Sequence, residues 1–349
     1  MASRSRQQVE RTIPFTGKDL PTPDTSLIVF DVDFQVHSIV LKRHSQFFAT
    51  FLDSADKSSS SNGPVKYEWI TKVEDNGRSW SLIALENSQL PSTVDENIEP
   101  QVYQYNTDRE VRAFNFLLCA MYGRNLGLDG AHVLCTATDL ADYYRTLPTL
   151  SKSVDAALRR NPLELTDDDD MVKVLDAAYQ LRHADLFRDC ISLLAGKIEI
   201  LQGNQHGGIG NGLGGFDINS FDLKYQPLLS KARASVTRRV SEATQNLLNT
   251  PLGSEPVGVA ISKLKVHNPY VDEEITLPVY FRRLYEAYDV QDAYWQPVRE
   301  ALHDVLSNGL LLEQSPFILA GKGEFQNRFL CADWVLDDDI PWDRTQKDW

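Results

Sequence analysis

Residues 24–48 read DTSLIVFDVDFQVHSIVLKRHSQFF, and this stretch decides the fold. It opens with an apolar run at Leu27–Phe30 and then alternates. Phe30, Val32, Phe34 and Val36 share one parity, and Asp31, Asp33, Gln35 and His37 share the other. A period of two predicts a half-buried strand or a tight hairpin. The apolar spacing then becomes helical through Ile39, Val40, Leu41, Phe47, Phe48, Phe51 and Leu52. The segment holds no nucleophile–base pair, metal set or phosphate loop. It is a scaffold, and it points to binding rather than catalysis.

Working outward, two later blocks continue the pattern. VRAFNFLLCAMYG at Val111–Gly123 predicts a helix with a stripe of Val111, Phe114, Leu118 and Met121. Thr107-x-x-Glu110 in front of it has the form of a capping box. VLCTATDLADYYRTLPTL at Val133–Leu150 predicts a second helix, started by Asp129 or Gly130 and burying Val133, Leu134, Ala137, Leu140, Ala141 and Tyr144. Between the blocks, Tyr67–Thr71 and Trp80–Ala84 flank Asn76-Gly77, a strong hairpin signal.

These residues resemble the BTB/POZ family. The family's opening pattern is matched by Asp24, Phe34 with His37, Val40 with Leu41, and Ser45 with Phe48. Tyr122–Gly123 is similar to its Tyr-plus-small-residue helix end, and Leu140, Ala141, Asp142 and Tyr144 to its L-A-D-x-Y helix. The resemblance covers residues 24–160 and implies an α+β domain, a small sheet with a helical cluster. The long stretch from Asp53 to Gln101, with its hairpin near 65–85, looks like an insertion of the fungal-type variant. Ser38 stands where many relatives carry Lys or Arg, so their charged pocket at the dimer interface is not implied. Residues 1–23, polar and holding Pro14, Pro21 and Pro23, read as a flexible tail without the amphipathic helix of strand-swapped dimers.

Composition narrows the classes. The net charge of −14 argues against a nucleic-acid binder and against an anionic membrane surface. At 349 residues the length suggests about two domains. The leader has no apolar signal core, no apolar run approaches a spanning helix, and no N-x-[ST] site occurs. Cys119, Cys135, Cys190 and Cys331 lie far apart, as suits buried thiols in a reducing compartment. The expected location is the cytoplasm, the nucleus or both.

Residues 161–349 predict a mainly helical region. Asp167–Asp170 precede a helix pair that buries Val174, Leu175, Ala178, Leu186, Phe187, Cys190 and Leu194. Four acids at a helix start suit the positive end of its dipole better than a metal, because consecutive side chains diverge. The pair resembles the BACK-like extension that follows many BTB domains. QGNQHGGIGNGLGGFD, at 202–217, contains a literal G-x-G-x-x-G without the strand and helix a dinucleotide site needs, and reads as a loop. Ser220 is the expected cap of a long helix to Asn249, with a basic face of Lys231, Arg233, Arg238 and Arg239. Ile275–Asp289 and Asp292–Asn308 predict two further helices. The segment from Phe329, with Trp334, Trp342, Trp349 and Asp337–Asp339, is either a linear binding motif or a tail docked on its own domain.

No G-x-S-x-G, Walker loop, C-x-x-C or H-E-x-x-H occurs, so no enzyme activity, metal or cofactor is implied. His37 reads as a structural residue at the hairpin-to-helix corner, and His44 as a surface residue of a helix. The resemblance implies protein–protein interaction: an adaptor that a cullin N-terminal domain recruits into a ubiquitin ligase, or a self-associating transcription or chromatin regulator. Val94-Asp95-Glu96 fits the hydrophobic-x-Glu step of cullin binders, making Val94 and Glu96 candidate partner contacts. Phe47, Phe51, Tyr122 and Tyr144 are further candidates.

Overall fold

The computed structural model describes residues 9–17, 20–54, 65–85, 102–125, 127–165, 167–198, 217–249, 276–286, 295–333 and 335–346. The chain divides into two compact units, Met1–Leu163 and Glu164–Gln346. It is an α+β protein.

The first unit is built on a five-stranded sheet of order β1-β3-β2-β4-β5. Strands β2 (Thr25–Val29) and β3 (Val32–Val36) form the hairpin at the centre, with Leu27 opposite Phe34 and Val29 opposite Val32. That register leaves Phe30-Asp31 as the turn, and Phe30 takes a positive φ of 52°. The expected alternation holds on β3: Val32, Phe34 and Val36 are buried, and Asp33 and Gln35 between them are half-exposed. Its neighbour β2 lies inside the sheet and is buried almost throughout.

Residues 1–23, expected as a tail, contain strand β1 (Arg11–Pro14), which pairs parallel with β3. The β-branched pair Thr12-Ile13 suits an extended edge, and Pro14 is tolerated at the end of an edge strand. Phe15 just beyond is fully buried, its ring 4.8 Å from Tyr122 and 6.4 Å from Phe34.

The second hairpin, β4 (Tyr67–Glu74) and β5 (Ser79–Ala84), turns through Asp75, Asn76 and Gly77, all at positive φ. A Cβ on Gly77 would lie 2.3 Å from the Val102 carbonyl oxygen, so only glycine fits. Although its sequence reads as an insertion, this hairpin is an integral part of the sheet: β4 pairs parallel with β2, Leu27 opposite Trp69. Two short helices, α1 (Ser38–His44) and α2 (Gln46–Phe51), lie on the crossover between them.

Helix α3 (Thr107–Met121) carries most of the remaining core, including Val111, Phe114, Leu117 and Leu118. Its cap is Asn106, which accepts the Arg109 N–H at 3.3 Å; Thr107 is already helical. Asn matches or exceeds Thr as a cap, which explains the one-residue shift. Glu110, freed from a capping box, accepts hydrogen bonds from Trp80 Nε1 and the Tyr103 hydroxyl, both at 2.9 Å. The helix ends at Tyr122, and Gly123 follows at φ 60°. The stretch 133–150, expected as one helix, spans two: α4 (Ala131–Tyr143) and α5 (Leu147–Arg160). Arg145 at φ 54° breaks them, and Pro148 sits in the first turn of α5.

In the second unit α6 (Asp168–Gln180) is capped by Asp167, which accepts the Asp169 and Asp170 N–H groups at 2.9 and 3.1 Å. Helix α7 (Ala184–Gly196) follows, capped by His183. Helix α8 (Gln226–Asn249) starts later than Ser220. Asp217 takes the Asn219 N–H and closes a separate 3-10 turn at Ile218–Ser220, so the long helix begins only at Gln226-Pro227. Helix α9 (Leu277–Glu286) falls within the first expected span, whose residues 275 and 287–289 lie outside the described residues, and helix α10 (Gln296–His303) starts after Trp295 and stops before the expected end at Asn308. Two buried arginines tie loops to these helices. Arg328 donates to the Leu193 carbonyl at 2.9 Å and to Asp168 at 2.5 Å, and Arg282 donates to the Ala320 and Leu306 carbonyls.

Candidate interaction surface

The sequence-selected residues converge in the first unit, mostly as framework. The His37 ring bridges two segments, with Nδ1 2.9 Å from the Tyr122 hydroxyl and Nε2 2.8 Å from the Pro21 carbonyl oxygen. The His37 backbone N–H also donates to that hydroxyl at 2.8 Å. Burial pushes the Tyr122 phenol up to about 12 against the opposing His37 N–H, so it stays protonated. At the same corner Asp24 accepts the Ser38 N–H at 2.7 Å and the Ser38 hydroxyl at 2.6 Å. Burial opposes the Asp24 charge, but these bonds outweigh it and hold the carboxyl below its ordinary value. Ser38 therefore joins the first turn of α1 to the start of β2.

Phe34, Leu41 and Phe48 are fully buried, Leu140 and Ala141 are buried, Val40 is half-buried and Asp142 is exposed. Ser45 locks the helix pairs together: its Oγ accepts the Phe48 N–H and donates to the Tyr144 carbonyl at 2.6 Å. Tyr144, expected as a possible contact, has no exposed surface and stacks on Phe48 at 5.2 Å. Val94 and Glu96 lie outside the described residues.

On this frame a group of aromatic side chains from α2 and α4 reaches solvent. Phe47 contacts Phe51 at 4.8 Å and Tyr143 at 5.6 Å, and rests edge-on against Tyr144 beneath. Phe51 is 38% exposed and Tyr143 50%. Residues of α1, α2, α4 and α5 also line an open cleft of about 660 Å³, among them Lys42, Arg43, His44, Gln46, Arg145 and Pro148. Lys42 is paired with Asp53 at 2.7 Å, and Arg145 with Asp142 at 3.2 Å. Burial, with Arg43 and Lys152 nearby, lowers the His44 pKa, so the ring is neutral at pH 7. The cleft is net cationic on a chain of charge −14. Tyr143 escapes the sequence reading because helical periodicity picks its neighbour Tyr144 for the core; the pair of adjacent tyrosines is the one signal for it.

Among the described residues no group of His, Cys, Asp and Glu could hold a metal ion, and no helix is long and apolar enough to cross a membrane. Asp167–Asp170 do not converge: Asp167 caps its helix, Asp168 pairs with Arg328 and Lys197, and Asp170 lies 3.7 Å from Lys173. The cleft itself offers charge, and the aromatic group, which is not part of its lining, offers apolar contact. No family model matches the chain, and no match was found among the curated proteins or the solved structures.

Proposed function

We propose that the chain is a non-catalytic protein-interaction module whose first unit, a BTB/POZ-like domain, engages a partner through Phe47, Phe51 and Tyr143 and the cleft beside them. The observation that carries this reading is the solvent-reaching aromatic group on helices whose inner faces are locked by Phe48, Tyr144 and Ser45. Tyrosine is among the residues enriched at binding hot spots, and rigid backing lowers the entropy lost on association. The partner class in line with the sequence resemblance is a cullin N-terminal domain, which makes the chain a substrate adaptor for a ubiquitin ligase. A stable contact of that kind buries on the order of 800 Å² per side. Pairing of β1 with β3 of the same chain favours the adaptor over self-association by strand exchange.

The test is a pull-down with a cullin N-terminal domain beside light scattering on the free chain. A complex with a monomeric chain supports the adaptor. A tight homodimer that captures no cullin would instead support the self-associating regulator. Phe51→Ala and Tyr143→Ala should each weaken the complex about 30-fold, equivalent to about 2 kcal/mol. Unchanged affinity in both variants would move the contact elsewhere.

A further inference from the structure

The basic face of α8, joined by Arg188 of α7, is covered by Asp333 and residues 335–344 of the same unit. Arg239 meets Asp333 at 2.6 Å and Arg238 meets it at 3.4 Å. Lys231 meets Asp339 at 2.5 Å. Arg188 pairs with Asp337 and donates from Nε to the Val335 carbonyl at 2.8 Å. Farther along, Trp342 stands edge-on against Phe187 of α7 at 5.1 Å and Tyr179 of α6 at 5.8 Å. Val335 and Ile340 are buried, whereas Leu336, Asp337, Asp338 and Asp343 between and beyond them are exposed.

This is the anatomy of a peptide in a groove: a few apolar anchors, bonds from Arg188 and Arg182 to the Val335 and Asp343 carbonyls, and a rim of charge pairs. Each rim pair has at least one solvent-exposed partner, so water and salt weaken its hold on the segment. We infer that the face formed by α6, α7 and α8 is a peptide-binding groove for acidic segments of the form Asp-x-Asp-x-x-Trp, and that residues 335–344 occupy it in cis. A second protein presenting such a segment would compete for the same groove. The groove belongs to the second unit and does not depend on the aromatic surface of the first. The carboxylates of the segment stay charged at neutral pH: bonds from Arg188 and from Arg344 of the segment itself lower Asp337, and the bond from Lys231 lowers Asp339.

A labelled peptide of residues 335–346 tests this by fluorescence anisotropy, titrated with the full chain and with the full-length variant Trp342→Ala/Asp337→Asn/Asp339→Asn. The vacated groove of the variant should bind the peptide at least about tenfold tighter than the wild type does. Adding Lys231→Glu should remove that gain. A folded variant with no gain overturns the inference. If the variant does not fold, hydrogen exchange on the wild-type chain decides. Faster exchange at 335–346 in about 0.5 M salt, with α6, α7 and α8 unchanged, supports a detachable occupant. Exchange of 335–346 only together with those helices makes the segment an integral part of the core and overturns the proposal.

Discussion

At the corner where β3 runs into α1, a single phenol oxygen serves both the ring and the backbone of His37. Tyr122→Phe keeps the ring packing and removes that oxygen, so it should lower stability by about 1–3 kcal/mol, measured by urea denaturation. An unchanged midpoint would mean that water replaces the hydroxyl. Arg328 is a sharper case. It is 1% exposed and hydrogen-bonds to Asp168. Arg328→Ala should cost about 3 kcal/mol, toward the lower end for a broken buried pair because Asp168 is itself partly exposed. Asp189 makes the pH argument. Burial lifts its carboxyl to about 6, although it accepts the Leu311 and Leu312 N–H groups at 2.7 and 2.9 Å. Asp185 and Glu313 add repulsion. The folded chain therefore holds this proton more tightly than the unfolded chain. The group's contribution is full below the unfolded value of 3.8 and is lost as pH rises through about 6. Denaturation of wild type and Asp189→Asn between about pH 4 and pH 7 should show the wild type losing stability relative to the variant as pH rises.

Element boundaries depend on local contests that the sequence poses and the structure resolves. Asn106 and Thr107 both have capping side chains, and only Asn106 bonds a free N–H. Asn106→Ala should thus lower the melting temperature by the equivalent of about 1 kcal/mol, and Thr107→Ala by only a few tenths. The reverse order would restore the capping box. Gly196 ends α7 where a Cβ would lie 1.8 Å from the Phe329 carbonyl oxygen, beside the bridge between Lys197 and Arg328. The alternation in β3 is legible because one of its faces is buried, and the Asn-Gly hairpin because its turn demands positive φ. Strand β1 is not, since four residues of a polar leader carry too short a period to read. Nor is the break at Arg145, where no glycine marks the left-handed backbone.

Across the whole molecule, what the sequence conveys is local and what it hides is distant. Apolar spacing places Leu41, Phe48 and Phe114 in the core, and the α+β class follows from it. The pairing of Arg188 with Asp337 spans 149 positions and leaves no short-range trace. The outward aromatic group is legible only in part: the sequence offers Phe47 and Phe51 as candidates but not Tyr143, because only the assembled helices decide which of two adjacent tyrosines meets water. The thiols offer a test at this scale. Cys119, Cys190 and Cys331 are buried, and burial pushes Cys331 up to about 11, while Cys135 is half-buried. A thiol reagent at neutral pH should modify Cys135 first and reach the other three only as the chain unfolds. Fast labelling of all four would show that the packing is looser than described.

The four-residue length of β1 has one more effect. An unpaired rim of a sheet can template the growth of fibres from copies of the same chain. Here the rim beyond β1 stops at Pro14, whose nitrogen has no proton to offer an incoming strand. At that position an added strand finds no donor, which blunts this edge of the sheet against pairing with a second copy.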